Sequence, residues 1–168
     1  MKKILLLFAT ISLFSLTACS NDDDNNNYYP GTDIRSEVFE VDHVNFTANG
    51  DYTVTIPLNP RINNEDVILV YRLSGSDQGN DIWEQIPTTY PLAEGTVNYY
   101  TDFSVNSVSI YFDADFDAML RQDFSLDQVF RIVIIPGYFS QTLDTSNYDA
   151  VMSALQQQGV KEQHIEIQ

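Results

Sequence analysis

Cysteine is nearly absent from this chain: 168 residues contain one, Cys19. The residues after it can form no internal disulfide, no thiolate metal site and no redox CxxC pair, and they offer no cysteine nucleophile. Basic residues are scarce too. Eight Lys and Arg stand against 24 Asp and Glu, a formal net charge of −16 at pH 7. So acidic a surface repels phosphate backbones and anionic headgroups, which excludes nucleic acid as a natural partner. It favours cationic partners or divalent metal. Long apolar runs are missing as well. The longest, residues 4–16, covers thirteen positions, short of the roughly 20 needed to cross a bilayer core. There is no GxGxxG to seat a dinucleotide, no GxSxG elbow and no internal repeat.

The thirteen-residue run has a meaning of its own. It follows Met1-Lys2-Lys3 and leads into small residues, Leu16-Thr17-Ala18-Cys19. A charged start, about 7–15 apolar residues and a small-residue site make a secretory signal peptide. With the sole cysteine directly behind it, this segment resembles the bacterial lipobox. That resemblance implies cleavage before Cys19, diacylglycerol on its sulfur and acylation of the new amine, palmitate being a typical chain. One acyl chain binds a membrane marginally, whereas two or more anchor it stably, at about 0.8 kcal/mol per buried CH₂. The predicted division is a signal peptide at 1–18, a lipidated cysteine with a polar tether at 19–33, and one folded domain at 34–168. Cleavage removes Lys2 and Lys3, leaving 6 basic residues against 24 acidic ones, a mature net charge of −18.

The tether, rich in Asn, Asp, Pro and Gly, cannot bury enough apolar surface to offset its ordering entropy. Its first residues, Ser20-Asn21-Asp22-Asp23-Asp24, resemble the acidic export signal of Bacteroidota surface lipoproteins. This implies an outer-membrane protein exposed at the cell surface; without export, the same anchor faces the periplasm.

Beyond the tether, short alternating runs separated by turn residues predict a mainly β fold. Strands are expected over 36–46, 52–58, 67–73, 82–87, 98–103, 105–112 and 129–135, with a last one around Ile165 and Ile167. Asn49-Gly50-Asp51 reads as a hairpin turn, and residues 74–81 as a polar loop. The nearly continuous apolar runs 67–73 and 129–135 suit strands covered on both faces. One helix is convincing. Asn147 and its neighbours offer N-cap chemistry, and Tyr148, Val151, Met152 and Leu155 fall at i, i+3, i+4 and i+7 before Gly159. The expected fold is a single antiparallel β-sandwich, immunoglobulin-like, with this short C-terminal helix before the last strand.

The segments Val70-Tyr71-Arg72-Leu73, Trp83-Glu84-Gln85-Ile86-Pro87, Val108-Ser109-Ile110-Tyr111-Phe112-Asp113 and the run from Gln128 to Pro136 resemble a group of small Bacteroidota lipoproteins without assigned activity. The likeness extends from about Tyr52 to Leu155. Some of that group carry a dihydrolipoamide dehydrogenase label. Lacking a dinucleotide motif and a redox cysteine pair, these residues do not support it.

Asp113, Asp115 and Asp117 alternate, as carboxylates converging on calcium can. They do not make an EF-hand, since Ala118 and Phe124 stand where Gly and Glu are required. Asp117 also suits the cap of a short turn through Leu120. Trp83, Tyr99 and Tyr100 could form an aromatic platform for a glycan or peptide, with one of the two tyrosines in the core because strand neighbours face opposite ways. His43 and His164 have no carboxylate or second histidine at ligand spacing, and carboxylate pairs such as Glu37/Glu40 arise by chance among 24 acidic residues. No catalytic constellation is visible. The leading expectation is a lipid-anchored, non-enzymatic surface binding or structural accessory module. A surface hydrolase with a site assembled from remote residues, and calcium-dependent adhesion, stay open as alternatives.

Overall fold

The computed structural model describes residues 36–166. Two apolar runs form its centre, as strands β3 (Val67–Asp77) and β8 (Gln128–Ile135), which pair antiparallel. They belong to a five-stranded sheet with β1 (Glu37–Val44), β4 (Asn80–Gln85) and β9 (Glu162–Glu166), in the order β4-β3-β8-β1-β9. A second sheet holds β2 (Thr53–Pro57), β5 (Thr88–Pro91), β6 (Thr96–Ser104) and β7 (Ser107–Ala114), in the order β2-β7-β6-β5. The expected β-sandwich is thus what the chain forms, one sheet packed against another.

Both faces of the five-stranded sheet are covered, which accounts for the unbroken apolar runs. Ile68, Val70, Phe130 and Ile132 point between the sheets, where they meet Ile56, Val97, Val108, Ile110 and Phe112. Leu69, Tyr71, Val133 and Ile135 point outward beneath helix α3 (Tyr148–Gln157), against Val151 and Leu155. Two single-turn helices, α1 (Gln122–Ser125) and α2 (Gly137–Ser140), fill connections on either side of β8.

Helix α3 begins where the sequence predicts. Asn147 accepts a hydrogen bond through its side chain from the Ala150 backbone N at 3.1 Å, satisfying a donor that the first turn leaves open. Asn147→Ala is expected to cost about 1 kcal/mol, read as a shift in denaturant midpoint at unchanged slope. Unaltered stability would show that the helix start is held by packing alone.

Three local expectations are corrected. Asn49-Gly50-Asp51 does not close a hairpin. The ladder bonds of β1 are already used by β8 on one side and β9 on the other, so no edge remains for β2, which pairs with β7 in the other sheet. The segment is a crossover between sheets, with a 3-10 turn at Ala48–Gly50 and left-handed φ at Asp51 and Tyr52. Second, much of the supposed loop at 74–81 is a hairpin arm. β3 and β4 stay paired out to Asp77 and Asn80, around Gln78 and Gly79 at φ 51° and 87°. Backbone pairing sustains this arm although its tip is exposed. Third, the sandwich is not purely antiparallel, because β9 runs parallel to β1 along the sheet edge.

Candidate functional site

Cys19 and the acidic segment 20–24 lie outside the described residues. The other singled-out residues are dispersed. Asp113 Oδ2 accepts from Asn98 Nδ2 at 3.4 Å, Asp115 Oδ1 from the Thr96 backbone N at 2.7 Å, and Asp117 Oδ1 from the Met119 backbone N at 3.0 Å. Each carboxylate thus serves a local turn or ladder, and Asp117 caps the 3-10 turn Ala118–Arg121, as its position suggests. The three aromatics are likewise apart. Tyr99 is buried between the sheets, while Tyr100 is exposed on the far face, stacked on Tyr111 at 5.0 Å and 13°. Trp83 is on the other sheet, packed at the edge of the layer under α3.

What the fold does assemble is a polar row across the outer face of the five-stranded sheet. Register places Gln85, Tyr71, Arg131, Glu40 and His164 side by side on β4, β3, β8, β1 and β9. Period-two alternation puts Asp42 on the face of Glu40, and Glu162 on that of His164. α3 covers the apolar part of this face and leaves the row at its N-terminal end, where Tyr148 closes over it.

Arg131 is the centre of the row. Its guanidinium lies 4.1 Å from the centroid of the Trp83 ring and 5.8 Å from that of Tyr148. Nε donates to Glu40 Oε1 at 3.1 Å, and Nη2 donates to the same oxygen and lies 3.0 Å from Glu162 Oε2; Nη1 donates to Tyr148 Oη. The side chains of Arg131 and Glu40 each retain only 10% exposure. Burial pushes the Glu40 carboxyl above its usual range, the neighbouring Glu162 carboxyl adds to this, and Arg131 opposes both. Burial, with Tyr148 beside it, also pushes the Tyr71 hydroxyl up to about 12.

On the open side of Glu40 lies His164. Its Nδ1 is 3.5 Å from Glu40 Oε2 and 3.8 Å from Asp42 Oδ2, and its Nε2 is 4.0 Å from Glu162 Oε1. Among the described residues, Glu40, Asp42 and His164 form the one group of three whose donor atoms all lie within 4.8 Å of one another. Burial grades outward, from 10% side-chain exposure at Glu40 through 34% at Asp42 to 64% at His164. The cluster therefore opens to solvent at its histidine.

Sequence reading missed this set because its halves come from opposite ends of the domain. The only local signal is a pair of polar residues two apart on each strand, Glu40 with Asp42 and Glu162 with His164. His43 likewise acquires a carboxylate through folding, with Asp127 Oδ1 2.6 Å from its Nδ1.

A second buried cation serves packing. Arg72 donates through Nε and Nη2 to Gln128 Oε1 at 2.9 and 2.6 Å, and through Nη1 to Tyr90 Oη at 3.3 Å. The rings of Tyr90, Tyr99 and Phe124 surround its guanidinium at 4.9–5.3 Å. Its own side chain fills the aromatic enclosure.

No protein-family model matches this chain, and neither a curated protein nor a solved structure matches it.

Proposed function

We propose that this chain is a lipid-anchored protein of the bacterial cell envelope, fixed in the outer membrane through Cys19 and displayed at the cell surface. It acts as a non-enzymatic binding or structural accessory module. Its binding surface is the outer face of the five-stranded sheet beside the N-terminal end of α3. The observation that carries this reading is the convergence of Glu40, Asp42 and His164 beside the Arg131 network, on a face open to solvent. The lipobox-like segment and the acidic residues behind it support the location. From Cys19 to Ser36 is 17 residues, which span at most about 60 Å at roughly 3.3–3.6 Å per residue. That reach is enough to hold the sandwich clear of a membrane surface.

Cys19→Ala is expected to abolish acyl labelling and move the chain from the membrane to the soluble fraction. Protease added to intact cells should degrade the unaltered protein. Membrane retention by Cys19→Ala would refute the anchor. Protection from protease with retention intact would refute surface display and place the anchor facing the periplasm.

A further inference from the structure

We infer that Glu40, Asp42 and His164 bind a divalent transition-metal ion of the zinc class, which clasps the edge strand β9 to β1. The inference rests on reading this face as the binding surface, and it names the ligand.

Ligand geometry is the first argument. A tetrahedral zinc ion with bonds of about 2.0–2.2 Å places neighbouring donors about 3.4 Å apart. His164 Nδ1 lies 3.5 Å from Glu40 Oε2 and 3.8 Å from Asp42 Oδ2, each within a few tenths of an ångström of that spacing, and one donor atom from each of the three residues lies within 4.8 Å of the other two. The strands impose this spacing. Glu40 and His164 are register partners in the parallel β1–β9 pair, and Asp42 is the next residue of β1 on the same face.

The surroundings supply the second. A metal-bound histidine characteristically turns its other ring nitrogen toward a carboxylate, and ligating carboxylates are themselves held by hydrogen bonds. Here Nε2 of His164 faces Glu162 Oε1 at 4.0 Å. Arg131 takes Glu40 Oε1 and Glu162 Oε2, leaving Glu40 Oε2 turned to Nδ1 and Glu162 Oε1 turned to Nε2. One guanidinium thus orients both a ligand and the partner of a ligand. Trp83 and Tyr148 hold that guanidinium in turn.

Ligand number decides the ion. Calcium takes six to eight oxygens and magnesium demands six in octahedral array. Two carboxylates and an imidazole suit zinc and its neighbours, which accept nitrogen and four-fold coordination. The fourth position faces solvent beside His164. Because β9 pairs only with β1, an ion bridging the two strands ties down the one strand that has a single neighbour on that edge.

The test is titration of the full-length chain, stripped with chelator, with zinc chloride by calorimetry, and with cobalt(II) followed by visible absorption. One equivalent of zinc should bind and raise the thermal midpoint, and amide exchange in β9 should slow. His164→Ala and Asp42→Asn, checked for folding by circular dichroism, should each bind at least about tenfold more weakly. His43→Ala, which removes the only other histidine, should bind as the unaltered chain does. Calcium chloride should leave the midpoint unchanged. Absence of saturable zinc binding, undiminished binding by His164→Ala, or calcium binding as tight as zinc would overturn the inference. The envelope reading stands or falls separately, on the fractionation of Cys19→Ala, which zinc does not influence.

Discussion

Arg131→Ala is expected to destabilise the chelator-treated protein by about 3–5 kcal/mol, the cost of removing one partner from a desolvated ion pair. Glu40 is the reason. It keeps only 10% side-chain exposure, and Arg131 supplies two of its hydrogen bonds. The truncation also strips the cation from between Trp83 and Tyr148 and leaves Glu162 without its 3.0 Å partner. The loss should depend on pH with a definite sign. In the folded chain the Glu40 carboxyl lies above its ordinary 4.5. Its contribution is therefore fully present below about that pH and is lost as pH rises through the raised value. Removing Arg131 takes away the one group that lowers it, so the deficit relative to the unaltered protein should be largest near neutrality and narrow toward pH 4.5. Denaturant unfolding of both proteins across this range measures it. A deficit under about 1 kcal/mol at pH 7, or one that widens on acidification, would show that Glu40 does not depend on Arg131.

Phe46→Ala should cost a similar amount, about 3–5 kcal/mol, for a different reason: it opens a cavity where the two sheets meet. Phe46 follows β1, on the crossover that carries the chain from one sheet to the other, and is 2% exposed. Its ring is 5.9 Å from Tyr99 at 60°, 5.7 Å from Phe112 at 22° and 5.9 Å from Phe130 at 88°. Such pairs contribute about 0.5–1.5 kcal/mol beyond the area they bury. One ring thus joins β6 and β7 of one sheet to β8 of the other. The backbone cannot close over the gap, since the Phe46 N is bonded to the Ser125 carbonyl at 2.7 Å. Urea unfolding gives the value, and a loss below about 1 kcal/mol would show that the sheets are joined mainly elsewhere.

The two residues differ in how far the sequence exposes them. Phe46 stands at the end of the expected strand 36–46, an apolar residue where the run closes. Arg131 interrupts the apolar run 129–135, and nothing local explains it. Its reason is Glu40, 91 residues away. The same holds for Tyr99 and Tyr100. Alternation correctly sends one inward and one outward, yet it cannot reveal that Trp83 belongs to the other sheet. Asn49-Gly50 has turn chemistry that the chain does use, but for a crossover, because the edges of β1 are taken by strands that come much later in the chain.

By itself the sequence determined what depends on neighbours along the chain: strand runs and their alternation, the doubly buried character of 67–73 and 129–135, and helix α3 with its Asn147 cap. These follow from side-chain period and capping, which act over a few residues. Only the tertiary structure decided which strand lies beside which. That choice set β9 parallel to β1, drew His164 to Glu40 and Asp42 from 124 and 122 positions away in the chain, and put Arg131 behind them. Strand pairing is a contest for open backbone edges across the whole domain, and period-two patterning is blind to its outcome.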